Sequence, residues 1–111
     1  MDMRLAYAIK FVADMDKAIA FYRDKLGLKL SSQSPEWSEF DTGSTILALH
    51  IASKENPPGA VQLGFNIGEI DRVHSSLAAQ GVKFTRAPEP LHGIKLAEFL
   101  DSENSECSLS G

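Results

Sequence analysis

The sequence predicts an α+β protein built from two βαβββ modules in tandem, and three observations carry that expectation. Val12-Ala13-Asp14-Met15-Asp16 is echoed by Ile67-Gly68-Glu69-Ile70-Asp71, each segment following a short apolar run and opening an amphipathic stretch. Those stretches close on glycines in matching contexts, Gly27-Leu28-Lys29-Leu30 and Gly81-Val82-Lys83-Phe84. The echo returns at Ala48-Leu49-His50 against Ser108-Leu109-Ser110. Element order is kept along with local similarity, as in a duplicated folding unit. Two paired copies of a small sheet generate a concave surface, where small-molecule sites tend to form.

Residues 5–12 are apolar except for Lys10 and read as a strand. Asp14 is a good N-cap, and Met15, Ala18, Ile19, Tyr22 and Leu26 follow helical spacing until Gly27 ends the helix. Strands are expected over 28–33, 37–41 and 45–51, separated by the turn-prone Ser34-Pro35 and Asp41-Thr42-Gly43-Ser44. Module one therefore spans about 1–54, and Pro57-Pro58-Gly59 marks a linker. Module two, about 60–111, repeats the pattern. It has a strand over 61–67, a helical stripe of Ile70, Val73, Leu77 and Ala78 ending at Gly81, and strands over 82–86, 94–100 and 106–110.

At 111 residues the chain reads as one domain large enough to fold by burial, without disulfide or metal staples. A hydrophobic fraction of 43% and a charged fraction of 23% fit a soluble globular protein, and no apolar run reaches a membrane span. The segment Met1-Asp2-Met3-Arg4 has no secretory pattern and Cys107 is the single cysteine, so a cytoplasmic location is expected. A net charge of −4 without a lysine or arginine block argues against nucleic acid as a partner.

The paired modules, the V-x-D pattern before the first helix, Phe21-Tyr22 near its end and Leu26-Gly27 closing it resemble the vicinal oxygen chelate superfamily. That superfamily holds glyoxalase I, extradiol dioxygenases, fosfomycin-resistance enzymes and bleomycin-binding proteins. The resemblance covers essentially the whole chain. It implies a glyoxalase-like fold, a curved mixed sheet around a cavity, and commonly a homodimer. In metal-dependent members the ligands sit on the first and last strands of each module, and those positions fall here on Tyr7, Ala48, Gln62 and Ser108. Catalytic divalent metals need about three nitrogen or carboxylate donors. These four residues do not supply them, so no cofactor is expected and a divalent metal is disfavoured.

The remaining candidates come from alternation along strands. His50 lies on the face of Ala48, one step further along the strand. It reads as a general base near neutral pH, a displaced metal ligand, or a strand-end histidine bonded to solvent. Tyr7, Ile9 and Phe11 share the face that the resemblance turns toward the cavity, as an apolar ligand lining or as packing. Trp37 and Phe40 fall on opposite faces of a regular strand, and Trp37 after its proline turn suits a partly exposed ligand platform. Gln62 either orients a ligand carbonyl or bonds to Tyr7, while Asn66 shares its face beyond Gly64, where backbone approach is close. Glu98 is either a solvent-facing strand glutamate or a cavity carboxylate acting as base. His74 reads as a helix-flank residue, His92 as a loop residue or lid, and Cys107 as a buried, inert thiol.

The preferred function is a small-molecule-binding protein without the usual metal, like the bleomycin resistance proteins. The alternative is a glyoxalase-type lyase or dioxygenase with displaced ligands such as His50, or with His50 and Glu98 as catalytic acid and base. Ligand contacts are expected at Tyr7, Ile9, Phe11, Trp37, Ala48, His50, Gln62 and Ser108.

Overall fold

The computed structural model describes residues 2–111; Met1, the first residue of the N-terminal segment read above, lies outside them. The chain divides into two compact units, Tyr7–Val61 and residues 2–6 with Gln62–Gly111. Each carries one βαβββ pattern, so the fold is α+β with two such modules in tandem.

In the first unit, β1 (Arg4–Val12, entering the unit at Tyr7) leads into α1 (Met15–Ala20), followed by β2 (Lys29–Ser32), β3 (Trp37–Asp41) and β4 (Ile46–Ile51). Asp14 caps α1: its carboxylate accepts from the Lys17 amide at 3.0 Å, satisfying a donor that has no partner within the helix. After Ala20 the helix loosens into a π-helical turn, Phe21–Lys25, a departure from the regular helix the spacing predicts. Gly27 then leaves it at φ +73°, a conformation glycine adopts without Cβ strain. The strand order is β2-β3-β4-β1, with β1 parallel to β4 and the other pairs antiparallel. The Asp41 carboxylate accepts from the Gly43 amide at 2.9 Å and turns the β3–β4 connection.

Alternation sorts the side chains of this sheet. Phe40 and Leu49 are fully buried against Met15 and Ile19 of α1. On the opposite face Ile9, Phe11 and Ala48 form a second buried cluster, with Tyr7 and Trp37 packed on it. Trp37 and Phe40 thus lie on opposite faces, as the regular strand required.

The second unit contains β5 (Val61–Asn66, of which Gln62 onward belongs here), α2 (Ile70–Ala79), β6 (Phe84–Leu91), β7 (Ile94–Leu100) and β8 (Glu106–Ser110). Its order is β5-β8-β7-β6, with β5 parallel to β8 and the other pairs antiparallel. The core joins Ile67, Ile70, Val73, Ala97 and Leu109, supported by Phe65, Leu77, Phe84 and Phe99. The sequence echo is inexact at the helix start. Glu69, the counterpart of Asp14, sits at φ 57° and makes no side-chain cap; its carboxylate accepts from Arg72 at 2.6 Å instead.

One expectation needs correction here. The strand expected over 82–86 is β6 over Phe84–Leu91, because its prolines, Pro88 and Pro90, are tolerated on an edge strand that lacks one neighbour. His92 lies with Gly93 in the tight, exposed hairpin turn that connects β6 and β7, both at positive φ, in keeping with the loop position read from the sequence. His74 flanks α2, its ring 4.4 Å from that of Phe84. Cys107 is buried, and burial pushes its thiol pKa up, which disfavours the nucleophilic thiolate. Among the described residues no helix is long and apolar enough to cross a membrane.

Candidate functional site

On the first module, strand register builds the open face row by row. Phe11, His50 and Trp37 stand side by side on β1, β4 and β3; Ile9, Ala48 and Glu39 form the next row. Ile9, Phe11 and Ala48 are buried and act as the floor. Tyr7, Trp37, Glu39 and His50 are half-buried above it.

The rings are mutually fixed. Trp37 meets His50 edge-on at 5.8 Å and Tyr7 at 6.1 Å, while Phe11 backs His50 at 5.1 Å. The Trp37 indole N–H donates to Glu39 Oε2 at 2.7 Å. The indole packs on the buried cluster of Ile9, Phe11 and Ala48. A larger residue at 48 would collide with this arrangement. His50 Nδ1 lies 2.7 Å from the Ile51 carbonyl oxygen.

The second module places a different chemistry on its sheet. Glu98 pairs across strands with Ser108 on one side and Arg86 on the other. Its side chain is 21% exposed, and Arg86 Nη1 is 3.5 Å from Oε1. Burial, a hydrogen bond to Glu106 and the charge of Glu106 push the Glu98 carboxyl up to about 7, against smaller opposing effects of Arg86 and the Gln62 amide. Gln62 thus favours the charged form of Glu98. Glu106 also accepts from the Thr85 hydroxyl at 2.8 Å. Asn66 is spent on the backbone, its amide donating to the Ser110 carbonyl at 3.1 Å.

The candidates thus fall into two groups: Tyr7, Ile9, Phe11, Trp37, Ala48 and His50 on module one, Gln62, Glu98 and Ser108 on module two. Sequence reading missed Glu39, Glu106 and Arg86. The first two were within reach of alternation, two residues from Trp37 and from Ser108. Arg86 was not, because the β6–β7 register shifts on both sides of it. Two surface depressions, of about 510 and 680 Å³, lie on module two beside the start of α2 and are lined by none of the candidates.

The donor set does not fit a divalent metal at the family positions. A phenol, a methyl, a carboxamide and a hydroxyl stand where imidazoles and carboxylates are needed. Among the described residues no three His, Cys, Asp or Glu side chains are grouped to hold a metal ion.

Tandem βαβββ modules, each with a helix packed on one face of its sheet, define a glyoxalase-like protein. The chain belongs to the Glyoxalase/Bleomycin resistance protein/Dioxygenase superfamily, whose family model matches residues 4–103. It is 29% identical over 117 residues to the uncharacterized protein YurT of Bacillus subtilis (strain 168), covering 90% of this chain and 92% of YurT. A hypothetical protein from Bacillus halodurans C-125 has the same fold at a TM-score of 0.84 and 15% identity, covering 99% of this chain and 94% of that one. Methylmalonyl-CoA epimerase from Mycobacterium tuberculosis is similar at 0.80 and 18%, covering 96% and 85%.

Proposed function

We propose that this protein binds a small organic molecule against the Tyr7–Trp37–His50 face of module one, without a divalent metal. The observation that carries the reading is the Trp37 indole, fixed by its bond to Glu39 and packed on the buried cluster of Ile9, Phe11 and Ala48 as an ordered aromatic surface. Aromatic faces supply contact area at small conformational cost, and a ring fixed by a hydrogen bond is already ordered before binding. A homodimer and a cytoplasmic location belong to the same proposal; sedimentation at micromolar concentration tests the first. The test of the function is a small-molecule screen followed by recovery of the hit after incubation, with metal content measured after exposure to zinc, nickel, iron and manganese. The expected result is an unchanged ligand and no stoichiometric metal. Stoichiometric metal uptake, or a chemically altered ligand, would overturn it.

Glu98 favours a second reading. A carboxyl that titrates near 7 beside a second carboxylate is half protonated at neutral pH and suits proton transfer as general acid or base. That enzyme reading expects turnover with a pH limb near 7, lost in Glu98→Gln. A product from any screened compound, formed without metal, would replace the binding reading with this one.

A further inference from the structure

The hydrogen-bonding groups on the module-one face are unevenly committed, and that imbalance specifies the ligand. Trp37 Nε1–H is spent on Glu39 Oε2 at 2.7 Å. His50 Nδ1 faces the Ile51 carbonyl oxygen at 2.7 Å, and a carbonyl only accepts, so Nδ1 carries a proton. In the neutral imidazole Nε2 is then a bare lone pair, an acceptor. Among the described residues Nε2 has no hydrogen-bond partner and no buried side-chain nitrogen or oxygen is left unpaired, so Nε2 is accessible to solvent. Beside it stand the Trp37 and Tyr7 rings, 5.8 Å from His50 and 6.1 Å from Trp37 respectively.

We propose that this face selects planar, ring-bearing ligands that donate an N–H hydrogen bond to His50 Nε2, and that it discriminates against ring ligands whose only polar group is an acceptor. The inference rests on the binding reading above and adds the ligand class to it. A ring ligand gains contact against Trp37 and Tyr7 whatever its polarity. An N–H meets His50 Nε2, an acceptor that the neighbouring backbone has not consumed. A carboxylate or carbonyl on the same ring meets no N–H of Trp37 or His50, because both are already donated. Glu39 reinforces the bias, since a carboxylate repels an anion and accepts from a donor.

Two measurements on the full ¹⁵N-labelled chain test this. Long-range imidazole spectra at a pH where His50 is neutral are expected to show the Nδ1–H tautomer; an Nε2–H tautomer overturns the proposal without any variant being made. Indole and 1-methylindole, which differ in the N–H, are then titrated while following the indole N–H signal of the single tryptophan, Trp37. Indole is expected to bind on the order of tenfold more tightly, from one hydrogen bond at a half-buried site, with the difference abolished in His50→Phe. Equal affinities in the wild type overturn the ligand class while leaving the binding reading intact. No shift with either probe at millimolar concentration removes both.

Discussion

Replacing Glu98 with glutamine should make the protein more stable at alkaline pH and leave it unchanged in acid. Glu98 titrates at about 7 in the fold against an ordinary value of 4.5. Its folded pKa is raised, so the native state favours the protonated form. The associated stability is fully present below about pH 4.5, declines as the unfolded chain ionises first, and is lost once pH passes about 7. At about 1.4 kcal/mol for each pH unit, the gap sets a ceiling of about 3 kcal/mol. The residual exposure of the side chain reduces what is realised to about 1–2 kcal/mol. The introduced carboxamide cannot ionise, still donates to Glu106 and still accepts from Gln62. Urea unfolding of both proteins by circular dichroism from pH 4 to pH 8.5 measures the difference, in which the titrations of groups not coupled to Glu98 cancel. The variant should match the wild type near pH 4 and exceed it by about 1–2 kcal/mol at pH 8 and above. A difference that does not vary with pH, or a variant weaker at pH 8, refutes the account of Glu98.

The same pair predicts that Glu106→Gln, by removing the neighbouring charge, lowers the Glu98 pKa toward the usual carboxylate range; carboxyl ¹³C titration by NMR checks it. Asp14→Ala should cost about 1 kcal/mol in chemical denaturation, because the Lys17 amide loses its acceptor. Ala48→Glu, which writes a metal-type donor back into the family position, should destabilise by about 2–4 kcal/mol and gain no metal, since the site is buried under Trp37. Calorimetric unfolding with and without zinc measures both effects.

Much of the fold was legible because its signals are local. The strand β7 over Ile94–Leu100, β8 over Glu106–Ser110 and the Asp14 cap follow from alternation, turn residues and one side-chain oxygen. What escaped depended on partners distant in sequence. The extension of β6 through Pro88 and Pro90 is permitted only by its place at a sheet edge. Left-handed Glu69 shows that a repeated motif need not repeat its cap.

The candidate site divides in the same way. His50 shares a face with Ala48, and Trp37 opposes Phe40, by period two alone. That the Trp37 indole is tied to Glu39 required the side chain to be placed in its packed surroundings.

The sequence by itself determined the tandem modules and the family, because these are properties of order and spacing. Only the tertiary structure decided that the Glu98 carboxyl is pushed up to about 7 and that His50 Nδ1 lies against the Ile51 carbonyl. The first depends on where a neighbouring strand lies in register, which brings Glu106 near Glu98; the second depends on how the His50 ring turns back onto the carbonyl of the next residue, Ile51. Side-chain alternation assigns a residue to a face; the neighbours it meets there set its chemistry.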